Sequence, residues 1–418
     1  MSWREVEFES LFSTSSRNGV YKSKDHHGSG VPIVNMGELF AFNRIGDQPM
    51  SLIRMSEAEM EKSGLIDGDL LFGRRSLVEE GAGKCSMVYK PPGPLTFESS
   101  IIRVRLDRTV ADPEFFFNYF RSPIGRSRIR AIVGGAAVKG IRGSDLKLIK
   151  VHLPPLDQQI AIRQVVALYD DLIATNQRRI ALLEDAARRL YREWFVHLRF
   201  PGHESVPVKD GVPAGWLSLT FNDVCDAVGG GTPSTARPEY WGGDVVWVTP
   251  TDVTRNDCLA LLDSEKKITE AGLANSSAKL VPPETILMTS RASIGFFALM
   301  DKPSCTNQGF ISVLPKQVNS RMFLLFNLLD RVEEMIGLAT GATFKEISKK
   351  TFRGLAVLWP TKELLESFEG KSYPLIQQVR LIKKQNYQLV QARDLLLPKL
   401  MSGQLDVSGI RLPDEVAA

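Results

Sequence analysis

The sequence predicts an α+β protein in which two mixed α/β heads are joined by a two-helix antiparallel coiled coil, with a pseudo-two-fold internal repeat. Three observations carry that prediction. A segment of the first half recurs in the second half at a fixed offset. Each copy opens with short β-branched runs cut by Gly, Pro, Asn and Asp. Each then closes on a long helical tail with seven-residue spacing.

The repeat is read directly from the residues. Residues 135–154, GAAVKGIRGSDLKLIKVHLP, and residues 341–360, GATFKEISKKTFRGLAVLWP, share six identities in 20 ungapped positions at an offset of 206. They are Gly135/Gly341, Ala136/Ala342, Lys139/Lys345, Ile141/Ile347, Val151/Val357 and Pro154/Pro360. Roughly one identity is expected from average composition. Weaker echoes lie upstream: Leu65–Leu71 against Leu280–Ile286, each followed by arginine (Arg74, Arg75; Arg291), and Val31–Val34 against Val245–Val248.

Taken in order, the runs Val31–Met36, Ser100–Leu106, Val245–Thr249 and Phe310–Leu314 read as strands bounded by turn residues. Glu114–Phe120 and Ser320–Phe326 read as short apolar helices. The tails from Pro155 and from Lys362 read as long helices. Pro374 suits a first helical turn rather than an interior. Through the offset it predicts a break near Leu168–Asp170, with Asp170 as N-cap, so that a short helix (156–167, 362–369) precedes each long one. Each long helix then has about 28 residues and a length of ~42 Å. Pro398 is expected to kink or end the second helix.

The seam follows from the heptads. Ile173, Ile180, Ala187 and Trp194 recur every seven residues, interleaved with Asn176, Leu183 and Leu190. In the second tail Val379 and Asn386 alternate with Ile382, Leu389 and Leu396. Apolar residues at 3.5-residue spacing favour mutual packing of the two tails. The expected boundaries are a first head at 1–153, a first helical region at 154–200, a second head at 201–360, a second helical region at 361–405 and a C-terminal tail at 406–418.

Composition excludes several classes. With 43% hydrophobic and 24% charged residues over 418 positions, the chain is neither disordered nor low-complexity. No apolar run approaches the ~20 residues of a membrane span, and the charged start MSWREVEFES reads as no secretory signal. A cytoplasmic protein with its four cysteines (Cys85, Cys225, Cys258, Cys305) as buried thiols is expected. The net charge is only +4, but residues 101–150 hold 11 Lys/Arg against 4 Asp/Glu, a local basic excess able to attract a polyanion.

Catalytic motifs are missing. Gly81-Ala82-Gly83-Lys84-Cys85 lacks the first glycine (Val78) and the Ser/Thr of a phosphate loop. The Pro-Pro pairs lack the Asn/Asp and aromatic neighbours of an amino-methyltransferase loop, no G-x-S-x-G occurs, and the five histidines form no ligand cluster. No catalytic residue and no metal ligand is therefore assigned. What remains suits binding. In Gly229–Trp241, Thr232, Ser234 and Thr235 can hold phosphate oxygens and Arg237 can read a guanine edge. Ser290 and Arg291, with Asn307 and Gln308, offer a second such group. In the first copy Arg74, Arg75, Lys84, Arg126 and Arg128 take comparable places, and Lys139 and Lys345 are paired by the repeat.

Together the order of these motifs resembles the specificity subunits of type I restriction–modification systems. The residues carrying the resemblance are Leu153–Ile160 (LPPLDQQI), Asp171–Asn176 (DLIATN), Arg393–Gly403 (RDLLLPKLMSG) and Gly230–Ser234 with Tyr240–Gly243. Arg17-Asn18-Gly19 departs from the Gly-Gly-Thr-Pro-Ser loop in the first half, and Asp157 stands where such subunits often have glutamate. The resemblance implies two target-recognition domains that each read one half of a split, asymmetric double-stranded DNA target. It implies helices that set their spacing and dock two methyltransferase subunits, and motor–nuclease subunits that join for cleavage. It also implies no cofactor on this chain, with S-adenosylmethionine and ATP on the partner subunits. A stand-alone DNA methyltransferase or nuclease with divergent motifs, or a coiled-coil protein scaffold, are the other readings.

Overall fold

The computed structural model describes residues 3–77, 81–136, 138–341 and 343–407. Val78, Ala342 and the tail past Val407 lie outside them. The chain packs as two units, Met1–Leu172 with Leu389–Ala418, and Ile173–Gln388.

In the first unit the strands Phe12–Asn18, Ile101–Leu106, Leu70–Gly73, Cys85–Val88 and Arg44–Ile45 lie side by side in that order. Only the last pairing is parallel. Ile101–Leu106 is an interior strand, paired on both sides, and Ile101, Ile102, Val104 and Leu106 are all buried. That is why it reads as a run and not as an alternation. A second, three-stranded sheet holds Ser51–Ile53, His27–Val34 and Thr96–Phe97. Helix Pro113–Arg121 closes the core. Asp112 caps it by accepting from Phe115 N–H at 2.8 Å, with proline at the first position. Its Phe120 stands edge-on to Phe8 and Phe72, with ring centroids 4.8 and 5.0 Å away.

The second unit repeats this plan. Cys225–Gly229, Phe310–Pro315, Ile286–Thr289 and Phe297–Leu299 form its main sheet, and Lys266–Ile268, Trp241–Val248 and Cys305–Thr306 form its smaller one. Both small sheets carry the same bulge. His27 and Val31 share Ile53 as partner, and Trp241 and Val245 share Ile268. The upstream echo is shifted by one residue from the sequence alignment. Gly68 and Glu284 occupy the same turn, both at positive φ (86° and 63°), donating to Val88 O and Met300 O. Glycine removes the steric cost there, whereas Glu284 sits in the disfavoured region and uses its carboxylate to hold Arg380 at 2.6 Å.

The long helices depart from expectation. The first runs unbroken over Leu156–Tyr191 and the second over Lys362–Met401, 36 and 40 residues, about 54 and 60 Å. Neither the break at Leu168–Asp170 nor the Pro374 start exists, and Pro398 does not end its helix. An interior proline costs about 3 kcal/mol. Leu365, Phe368, Ile376 and Val379, all buried on that helix, contribute about 1.5–3 kcal/mol each and outweigh it. Asp170 caps nothing; it accepts from Arg393 at 2.7 Å.

In each unit the helix segments run antiparallel. In the second, Ile180 packs with Val379 and Ile382, partly buried Leu183 beside them, and Asn176 faces Asn386. In the first, Ile162 and Val166 share a core with Leu400 and Met401, against which Leu396 packs. Ile173 and Leu389 are half-buried. Trp194 packs on Phe368 of the other long helix, with ring centroids 5.9 Å apart, and there the seam merges with the core of the second head, which also takes in Ala187, with Leu190 packing on it. The repeat explains this division: Leu190 and Trp194 correspond to Leu396 and Leu400, so the C-terminal segment does for the first head what residues 190–195 do for the second.

The helices meet one end of each head's main sheet. In the second unit Arg380 pairs with Glu284, Lys384 with Asp301 at 2.6 Å, and Leu259 N–H donates to Glu184 at 2.6 Å. In the first unit Gln159 holds the amide of Asp112 at 2.8 Å and Arg163 lies 3.6 Å from Asp112. The opposite sheet ends are thereby left to the loops.

Burial pushes the Glu184 carboxyl up from 4.5 to about 7. A carboxyl raised by folding contributes stability that is complete below about pH 4.5 and lost as pH rises through about 7. Glu184→Gln keeps the acceptor without the charge. Its thermal midpoint should therefore exceed that of the native chain at pH 8, with the difference vanishing at pH 4.5, in parallel denaturation scans.

Candidate nucleic-acid interface

In the first head, the sheet end far from the helices gathers the ends of Phe12–Asn18 and Leu70–Gly73 and the starts of Cys85–Val88 and Ile101–Leu106. Arg75–Ser76 pairs there with Lys139–Gly140, Gly140 opposite Arg75. Arg74, Arg75 and Arg142 line a groove of about 560 Å³ with Gly134, Gly135 and Val138. The glycines have a reason. Gly135 has φ +101°, and a Cβ on it would meet Val138 O at 2.2 Å.

The second head builds the same corner. Ile347 N–H donates to Ser290 O at 3.0 Å, as Ile141 N–H does to Arg74 O. Arg291 bridges Glu346 through the backbone, as Arg75 bridges Gly140. Arg75 and Arg291, and Lys139 and Lys345, are thus structural equivalents. The chemistry differs, because Glu346 lies 3.8 Å from the Arg291 guanidinium where the first head has a glycine.

A second loop joins each corner. A Cβ on Gly230 would strike the carbonyls of Thr306 and Asn307 at 2.2 Å, and one on Gly19 those of Phe97 and Glu98 at 2.1 and 2.4 Å. The departing loop Arg17-Asn18-Gly19 therefore makes the same close approach as the glycine-rich loop. Beyond it Thr232 donates to Gln308 at 2.6 Å, Ser234 O accepts from Trp241 Nε1 at 3.2 Å, and Arg237 lies 3.4 Å from Glu239. Thr235 lines a shallow groove with Trp241, Lys266 and Lys267. Thr232, Ser234, Thr235, Arg237, Arg291 and Lys345 are all exposed.

Four candidates are placed elsewhere. Ser290 is 2% exposed, its backbone knitted into the sheet end, so its hydroxyl is withdrawn from the surface. Lys84 donates to Phe40 O and lies over the Phe40 ring, which uses its ammonium inside the head. Arg126 donates to Gly83 O at 3.0 Å and to Ala82 O at 3.3 Å, filling the would-be phosphate loop with its own guanidinium. Arg128 pairs with Glu5 and ties the first strand to helix Pro123–Arg130. The basic stretch is spent in the same way. Arg105 pairs with buried Asp69 at 2.7 Å, Arg108 with Asp67, Lys147 with Glu9 and Lys150 with Glu7.

Sequence reasoning missed Tyr21, 89% exposed in the loop position of Thr232, and Arg142, Lys266 and Lys267 beside the two grooves. A gapped alignment of the two copies could have found Tyr21, since it follows Gly19 by the same two residues that separate Thr232 from Gly230. The cysteines are buried and free, and burial pushes the Cys225 and Cys258 thiols up to about 12, unsuited to nucleophilic work. Among the described residues no group of three or more His, Cys, Asp or Glu is placed to hold a metal, and no helix is long and apolar enough to cross a membrane.

Two unlike loop clusters on one repeated scaffold suit recognition of an extended polyanion. The model of the family described as Type I restriction modification DNA specificity domain matches residues 2–185 and 213–364. The chain belongs to this type I restriction–modification DNA specificity family. It is 35% identical over 154 residues to the MjaIX specificity subunit of Methanocaldococcus jannaschii, a match covering 36% of each chain. It is 21% identical to the HindI specificity subunit of Haemophilus influenzae, covering 82% of this chain and 88% of that one. A solved S subunit from M. genitalium shares the fold across 96% of both chains, with TM-score 0.57 and 16% identity. As a type I specificity subunit the chain is a DNA-recognition component without catalytic activity, and the stand-alone enzyme and scaffold readings give way.

Proposed function

We propose that this specificity subunit reads a bipartite, asymmetric double-stranded DNA sequence, one half by each head, and positions two methyltransferase subunits and the motor–nuclease subunits on it. The observation that carries the reading is the pair of equivalent corners: Arg75 with Lys139 beside Gly140 in the first head, Arg291 with Lys345 beside Glu346 in the second. Equivalent scaffolds with different side chains read different bases. S-adenosylmethionine and ATP then belong to the partner subunits. Sequencing modified adenines in the source genome tests this. A bipartite adenine motif should disappear when this chain is deleted, and an unchanged pattern refutes the reading.

The helix pair supplies the docking face for the methyltransferases. Glu184 and Lys383 face the second head, whereas Leu182 and Leu381 stand two residues from them, about 200° around each helix, and are 67% and 60% exposed. Two large exposed leucines at one level suit a partner's apolar surface. Leu182→Asp with Leu381→Asp should abolish co-elution with the methyltransferase subunit in size-exclusion chromatography while leaving the thermal midpoint of the chain unchanged.

A further inference from the structure

The seam of the helix pair is apolar at Ile180, Val379 and Ile382, yet its next layer holds two amides. Asn176 and Asn386 are 2% and 7% exposed. Asn176 Nδ2 donates to Asn386 Oδ1 at 2.9 Å, and Asn386 Nδ2 donates to Ile173 O at 3.2 Å. Buried amides cost free energy unless they are bonded, and an isoleucine pair would pack here without that requirement. The internal repeat makes the choice specific. At an offset of 206, Asn176 corresponds to Ile382 and Asn386 to Ile180. Each helix thus carries an amide where its repeat partner carries isoleucine, and the two amides meet.

We infer that Asn176 and Asn386 are positioning residues that fix the heptad register of the helix pair, and through it the single half-site separation the chain accepts; this rests on the bipartite reading above. In the observed register each amide faces the other. Sliding one helix by a heptad sets Asn176 against Val379 or Arg393, and Asn386 against Leu183 or Tyr169, so both amides lose their partner. An all-apolar layer has no such preference. A heptad slip is about 10.5 Å, equivalent to about three base pairs.

The test selects random DNA duplexes with the full-length chain in complex with its partner subunits and reads the gap between enriched half-sites. The native chain should enrich one gap length. Asn176→Leu with Asn386→Leu should enrich a second gap as well, differing by about three base pairs. Moving the amides one layer, by Asn176→Ile and Asn386→Ile with Ile180→Asn and Ile382→Asn, should restore a single gap; it also keeps the test decisive if the leucine pair fails to fold. A leucine variant that keeps the native gap alone means that the head sets the register, and overturns the proposal. A native chain that enriches no bipartite sequence refutes the recognition reading itself, and the register role falls with it.

Discussion

Replacing residues 205–360 with the corresponding domain of another type I specificity subunit should change one half of the recognised sequence completely and leave the other half intact. The expectation follows from where the proposed recognition loops sit. Thr232, Ser234, Thr235, Arg237, Arg291 and Lys345 all lie inside that stretch, at the end of the sheet remote from the helices. The first head's Arg75, Lys139 and Arg142 belong to the other unit. The exchanged domain must preserve its contacts to the helices, chiefly those of Glu284, Asp301 and Leu259, or the chimera will lose stability rather than change preference. Methylation mapping of cells carrying the chimera checks it. Altered bases in both half-sites, or in neither, would show that the heads do not read independently.

Arg75→Ala and Arg291→Ala should each weaken specific binding by about 1–3 kcal/mol, or about 5- to 150-fold, with the loss confined to sequences carrying the correct base in one half-site. Arg75 is exposed and faces Gly140 across its strand pair, so its guanidinium is free to turn to a base edge. Arg291 carries the Glu346 carboxylate 3.8 Å away, which orients the guanidinium and opposes nearby phosphates. As base contacts, both substitutions should leave the slope of log affinity against log salt nearly unchanged, whereas a phosphate contact would lower it by about one. Binding isotherms for matched and single-substituted duplexes at several salt concentrations separate the two roles. An equal loss on every duplex would make either arginine a phosphate contact.

Local pattern carried far in this protein. The strands at Ile101–Leu106 and Phe310–Pro315 and the helices at Pro113–Arg121 and Arg321–Asp330 were legible because residue type, spacing and caps act over a few neighbours. Prolines 374 and 398 misled, because their local penalty is overcome by burial of residues elsewhere on the same helix. Basic residues misled for a similar reason. Arg126 and Lys84 satisfy backbone carbonyls that are 43 and 44 positions away, and no sequence window shows that.

By itself the sequence determined that this chain is one unit used twice, with strands and helices in repeated order, a heptad seam between its tails and unlike loops on its heads. Those properties are periodic or short-range, and a residue's identity expresses them wherever the chain goes. Only the tertiary structure decided which of the candidate cations stay exposed and which are held by groups within the heads. It also decided that Trp194 serves a head as well as the seam, and that Asn176 meets Asn386. Each of these depends on which distant group removes a side chain from water or satisfies its hydrogen bonds, and that follows from packing alone.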